Sequence, residues 1–275
     1  MDEIGVIKMD SHTESTRTWS VRRLRRVRVV LVPISILIAI LLWEGLVRLT
    51  GFEAFILPGP GLVWRRFLQV ASDGSLLRHT LVTLSEVLVG LLLGVSAATT
   101  LGYLLAKSPA VERLLAPYIV ASQSVPVVAI APLLIIWFGP GLFSKVLICA
   151  LIVFFPVLVN TVVGLRSVPD ELVDLMRSLH ATRLQTVTRL EVPAALPVFL
   201  GGLRIGATLS VIGAVVGEFV GADRGLGFLV NVGRGQYDTS LVFVAVFTLV
   251  ALALGLYGMV VLVEGQLLSW QQRPD

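Results

Sequence analysis

Few side chains in this sequence could do chemistry, and their spacing limits what that chemistry can be. Three histidines (His12, His79, His180) and one cysteine (Cys149) are spread through 275 residues, with no spacing that would gather a metal ion. No G-x-x-x-x-G-K-[ST] run is present, so the chain is not expected to hydrolyse ATP. No catalytic residue, metal site or bound cofactor is expected. What remains is charge placed where charge is costly. Glu44, Glu86, Asn160, Arg204 and Glu218 fall inside long apolar runs, where a polar group is either paired or part of a function. A further run is interrupted at Gln123, Ser124 and Pro126, as in the broken helices that line transport sites. Gln123, Ser124, Pro126, Arg204 and Glu218 are therefore the candidate pathway residues.

The elements that must position these groups are apolar to a degree that water-soluble folds do not reach. Hydrophobic residues make up 56% of the chain and charged residues 15%, and the mean hydropathy is +0.89. A soluble domain cannot hide that much apolar surface, so an all-α polytopic membrane protein is expected. The net charge of +4 reports topology rather than nucleic-acid binding, because basic residues flank the apolar runs. Residues 1–28 read as a polar, disordered tail ending in "VRRLRRVR", and 29–47 as a first span. That run is too long, and lacks the small-residue cleavage site, for a secretory signal. Residues 51–79 read as a surface-lying amphipathic segment. Further spans are expected at 80–106, 114–138, about 143–164, about 196–220 and 241–263. The second carries Gly90, Gly94, Ala97 and Ala98 at helix-packing spacing. Pro117, Pro126 and Pro132 interrupt the third, and a short tail, 266–275, closes the chain after a transmembrane domain at 29–265.

Six spans put both termini on one side. With that side cytoplasmic, fourteen lysines and arginines lie inside and seven outside, Arg204 falling within the fifth span. This bias also places the charged stretch "ELVDLMRSLHATRLQTVTRLEVP" (171–193) in the cytoplasm. Leu172, Leu175, Met176 and Leu179 recur at i, i+3, i+4 and i+7, one face of a helix. Ser167, Pro169 and Asp170 supply its start signal. The turn "LHATR", with His180, Ala181 and Arg183, separates it from a second stripe of Leu184, Val187 and Leu190, which Pro193 is expected to end. On physics alone this pair either lies on the membrane surface or docks a partner, and both readings stand.

The stretch resembles the EAA loop of the inner-membrane permeases of ABC importers, E-A-A, three residues, G, nine residues, I-x-L-P. Aligned on Pro193, Asp174 takes the Glu position, Leu175 and Met176 the two Ala positions, His180 the Gly, Leu190 the Ile and Val192 the Leu. Further segments are similar to the sulfonate/nitrate/taurine-type permeases: "VPVVAIAPLLIIWFGPG" (125–141), "VPAALPVFLGGLRIGATLSVIGAVVGEFVG" (192–221), "GLGFLV" (225–230) and "VEGQLLSW" (263–270). The resemblance runs from about residue 30 to 270. Three residues depart from the family pattern: His180 replaces a glycine suited to a left-handed turn, Asp174 shortens a carboxylate, and Glu86 stands where relatives often carry a base.

The resemblance implies a type I ABC importer permease in a bacterial inner membrane, multi-pass, with both termini cytoplasmic and a coupling loop at 166–193. Two permease copies, expected to be identical, would form the pore. Two cytoplasmic ATP-binding subunits, carrying the ATP and magnesium, would grip the loops, and an extracytoplasmic solute-binding protein would deliver the solute. That solute would be a sulfonate, taurine, nitrate or a vitamin-precursor-like molecule. Leu172, Leu175, Met176 and Leu179 would contact the ATPase or brace the loop, with Asp174, Arg177 and Arg183 setting register. The alternative is a secondary transporter driven by an ion gradient. Neither internal repeats nor a relay of membrane acids support it, and the few His, Asp and Glu candidates are not expected to converge near one interface as a membrane enzyme's would.

Overall fold

The computed structural model describes residues 15–269, and the described residues fall into two compact units that divide between Leu62 and Val63. Of the expected tails, 1–28 and 266–275, the portions 1–14 and 270–275 lie outside the described residues; the backbone of 15–28, expected to be disordered, is helical, and 266–267 still belong to the last helix. The first unit is built on α1 (Ser15–Thr50), whose backbone is helical well before the apolar run begins. Its Pro33–Thr50 portion is long and apolar enough to cross a membrane and buries none of its residues. Glu44 is paired within its own helix, Oε1 accepting from Arg48 Nε at 2.6 Å. Gly51, at φ +62°, ends the helix in the left-handed conformation that glycine adopts without steric cost.

The second unit opens within α2 (Pro60–Ser72), a short amphipathic helix burying Val63 and Val70 and exposing Trp64 and Leu68. The amphipathic pattern expected within 51–79 is present as this helix, while 75–79 already belong to the helix that follows. Then come α3 (Ser75–Lys107), α4 (Pro109–Gln123), α5 (Val127–Phe138) and α6 (Leu142–Arg166). They are followed by α7 (Asp170–Ser178), α8 (Arg183–Thr186), α9 (Val192–Gly221), α10 (Leu226–Gly235) and α11 (Thr239–Leu267). Five described helices can span a membrane, and α4 with α5 makes a sixth if their bent pair counts as one span. That pair turns by 95°. Pro117 and Pro132 sit inside helices without breaking them, whereas Pro126 caps α5 at the bend, where its missing N–H would be unpaired anyway.

The core is a sheaf of α3, α6 and α9, with α6 in the middle. Close backbone approach makes it possible. A Cβ at Gly94 of α3 would lie 2.7 Å from the Ala150 carbonyl oxygen, and one at Gly213 of α9 would lie 2.8 Å from Cys149 Cα. Cys149 is wedged between the two neighbours of α6, since a Cβ at Gly90 would strike its own Cβ. Without a hydrophobic driving force between helices in lipid, such small-residue seams hold spans together by dispersion. Around the seams pack Ala98, Leu105, Val153, Val157 and Leu158, and separately Ala131, Leu134 and Ile148. Outward faces of α3, α6 and α11 remain apolar and exposed, as lipid-facing surfaces must be.

Candidate functional site

Helices α3 and α6 run parallel and α9 runs antiparallel to both, so the sheaf has two chemically distinct ends. At one end are Lys107, Arg166 and Glu191, and between the latter two projects the segment carrying α7 and α8. Helix α7 opens on Asp170 and Glu171, acids suited to the positive end of the helix dipole. Ser167 does not cap it: its hydroxyl donates back to the Gly164 carbonyl, 2.8 Å away, and Pro169 holds the N-cap position with no side-chain bond. The expected start signal is thus corrected, because Ser167 still belongs to the last turn of α6.

The C-terminus of α7 is a Schellman turn. The Ala181 N–H donates to the Met176 carbonyl at 3.0 Å and the His180 N–H to the Arg177 carbonyl at 2.9 Å. His180 stands at φ +54°. The left-handed residue falls where the motif's glycine would be, and His180 adopts the conformation despite its side chain. Thr182 and Gln185 then form a reciprocal capping box that starts α8, a signal missed in the sequence reading although T-x-x-Q is its usual form. Pro193 does not end the second helix. A π-helical turn at Val187–Glu191 carries it directly into α9. The Val192 N–H reaches back five residues to the Val187 carbonyl, and this wider turn precedes the position where Pro193 has no N–H to offer.

The apolar stripe of this segment is left largely uncovered by the described residues. Leu175 is 53% exposed, Leu179 67% and Leu184 72%; Leu172 is also exposed, and Met176, Val187, Leu190 and Pro193 are half-buried. Asp174 and Arg177 pair across one helical turn at 2.9 Å on the exposed surface, with Arg183 at the head of α8. Both roots of the segment are tied to one corner, the α3–α4 turn. Arg166 donates to Glu112 at 2.6 Å and to the Leu105 carbonyl at 3.3 Å, while Glu191, buried, binds Lys107 at 2.6 Å.

At the opposite end, Glu86 of α3, Lys145 of α6 and Glu218 of α9 converge, each 5% exposed or less. Lys145 Nζ lies 3.3 Å from Glu86 Oε1. Glu218 Oε1 accepts from the Thr83 hydroxyl at 2.6 Å and its Oε2 from the Gly227 N–H. The Leu226 N–H donates to Thr83 Oγ1 at 2.8 Å and the Gly225 N–H to His79 Nδ1 at 3.0 Å. Three successive N–H groups at the head of α10 are thereby capped by side chains of α3 and α9. Acids and a histidine therefore do cluster, contrary to the reading of the sequence. Lys145 was overlooked as a member, having been counted among the residues of an outer loop.

The candidate pathway residues are not brought together. Gln123, Ser124 and Pro126 lie exposed at the α4–α5 bend. Arg204 is matched by Glu264 of α11 at 3.0 Å. Glu218 is enclosed within the charged cluster.

Residues 90–268 match the model of the binding-protein-dependent transport system inner membrane component family, and the chain belongs to that family. It is 48% identical over 239 residues to the riboflavin transport system permease protein RibX of Chloroflexus aurantiacus, covering 87% of this chain and 89% of that one. The taurine transport system permease protein TauC of Escherichia coli is 32% identical over 240 residues, covering 84% and 86%. Among solved structures, the fold is similar to a chain of the inward-facing MetNI methionine ABC transporter, with a TM-score of 0.63 at 20% identity, covering 72% of this chain and 98% of that one. The all-α fold is that of a type I ABC importer permease, and the chain is a multi-pass permease subunit of an ABC importer.

Proposed function

We propose that two copies of this permease form the pathway of an importer and that each coupling loop, 166–193, docks in a cytoplasmic ATP-binding subunit. The observation that carries this reading is the uncovered stripe of Leu172, Leu175 and Leu179 on a capped helix whose two roots are pinned to the α3–α4 turn. An apolar face on a charged segment needs a partner, and a short helix held at both roots transmits displacement without bending. Asp174, Arg177 and Arg183 flank the stripe and set register. ATP and magnesium belong to the partner, and this chain binds no cofactor. In this topology both termini lie in the cytoplasm, and the Glu86–Lys145–Glu218 end faces outward, where a solute-binding protein would deliver its cargo.

The solute that fits best is a small heterocyclic, vitamin-like molecule. Identity to the riboflavin permease is 48% against 32% for the taurine permease. The cations of α6 and α9 also argue against an anion: Arg166 and Arg204 are each paired with a glutamate, and Lys145 is enclosed with Glu86 and Glu218. A sulfonate would find its counter-charge already taken. Two measurements test these readings. Changing Leu175 and Met176 together to Asp should abolish copurification of the ATPase; unaltered copurification would overturn the docking role. In proteoliposomes holding the full complex and its binding protein, ATP-dependent uptake should follow riboflavin-like solutes and not taurine. The reverse preference would overturn the solute class, and uptake on an ion gradient without ATP would overturn the importer.

A further inference from the structure

The charged cluster opposite the coupling loop contains two acids and one base, all buried, and its hydrogen bonds determine how many protons it holds. Both oxygens of Glu218 already accept, from Thr83 and from the Gly227 N–H. Glu218 is therefore the ionised acceptor. The carboxyls of Glu86 and Glu218 are also within hydrogen-bonding reach of each other, and two carboxylates cannot bond without a proton between them. On Glu86, Oε1 receives Lys145 while Oε2 is buried with no donor reaching it. An oxygen in that position is accounted for if it carries the proton and donates. The charge balance agrees: Lys145 and Glu218 cancel, and a neutral Glu86 leaves no net charge in the sheaf, whereas two ionised acids would bury an excess negative charge.

We propose that Glu86, Lys145 and Glu218 form a neutral centre holding one proton on Glu86, and that this centre positions the 222–227 loop and the first turn of α10 across the outer ends of α3, α6 and α9. A second feature shows how closely the loop is fitted to the carboxylate. Gly225 stands at φ +115°, and a Cβ there would overlap the Glu218 carboxyl group. The centre is distinct from a transport relay, since its proton has a fixed donor and a fixed acceptor.

Other titratable groups face the same region. Cys149 of α6, one helical turn on from Lys145, feels the charge of both carboxyls. His79 of α3, with Arg78 and Arg224 near it, accepts from the Gly225 N–H and must be neutral to do so. Acidification thus acts through His79. Alkalinity acts through Glu86: its proton leaves to the outer solvent, the centre becomes negative, and repulsion from Glu86 pulls Glu218 off Thr83 and Gly227.

The test uses the full-length chain in lipid nanodiscs and needs neither ATPase nor solute, so its outcome is separate from that of the importer reading, on which only the word "outer" rests. Infrared spectra at neutral pH should show a carboxylic-acid C=O stretch that disappears in Glu86→Gln. Protection of the Gly227 amide against hydrogen exchange, corrected for intrinsic rates, should fall on the alkaline side in the native chain. Beyond the proton's departure the fall should be about tenfold per pH unit. In Glu86→Gln, whose amide mimics the protonated acid, protection should stay level, and in Glu218→Gln it should be low at every pH. An acid band that survives in Glu86→Gln, matching alkaline profiles in native and variant chains, or a Glu86→Gln chain that does not fold would each overturn the proposal.

Discussion

His180 shows how much a single backbone angle can weigh at the residue scale. An L-residue in the left-handed region costs roughly 1–2 kcal/mol, and His180 accepts that cost at φ +54° to let Ala181 and Arg177 close the Schellman turn. Replacement by glycine removes the steric cost but adds about 0.5–1 kcal/mol of chain entropy. The net expectation for His180→Gly is a loop steadier by about 0.5–1 kcal/mol, read as slower amide exchange at Ala181. His180→Val should act in the opposite direction, because a β-branched side chain tolerates positive φ least. The sequence pattern located this position from the spacing to Pro193 alone. It gave no sign of Pro193's own fate, since a π turn depends on how the widened backbone is packed and not on residue type.

Among the elements, the α3–α6–α9 sheaf is governed by where side chains are missing. Gly213 abuts Cys149 Cα at 2.8 Å, and backbone cannot step aside as a side chain can. Gly213→Ala should therefore destabilise the chain by about 1–3 kcal/mol, the usual range for overpacking, measured by thermal unfolding in detergent. Gly255→Ala on α11, with nothing within 4 Å of the added Cβ, should lie within about 0.5 kcal/mol of the native chain. The spans, the amphipathic α2 and the broken α4–α5 pair were all legible from apolar run length, small-residue spacing and proline. The partners of the buried charges were not. Glu86 and Lys145 are 59 positions apart, and only the parallel packing of α3 against α6 puts them in reach. The same holds for Arg204, whose mate Glu264 lies on the last helix.

On the scale of the whole molecule, the two ends of the sheaf are held in different ways, and the α3–α4 turn is where the end carrying α7 and α8 is fastened. Lys107 reaches the buried Glu191 at one root of the coupling loop, and Glu112 holds Arg166 at the other. A displacement of α7 and α8 is thus carried into α3, which runs to the Glu86 centre, and into α4, which leads to the 95° bend. Lys107→Met leaves Glu191 without its cation. Breaking a fully buried pair costs about 3–5 kcal/mol, but Lys107 is 38% exposed, so about 2 kcal/mol is expected. Replacing both partners, Lys107→Met with Glu191→Met, removes the stranded charge and should restore most of that stability while leaving the root unfastened. If the ion pair only stabilises the fold, the double variant should transport normally. If it couples the loop to the spans, the double variant should bind and stimulate the ATPase yet move little solute per ATP hydrolysed. The ratio of uptake to hydrolysis in proteoliposomes distinguishes the two, and we expect it to fall well below that of the native complex.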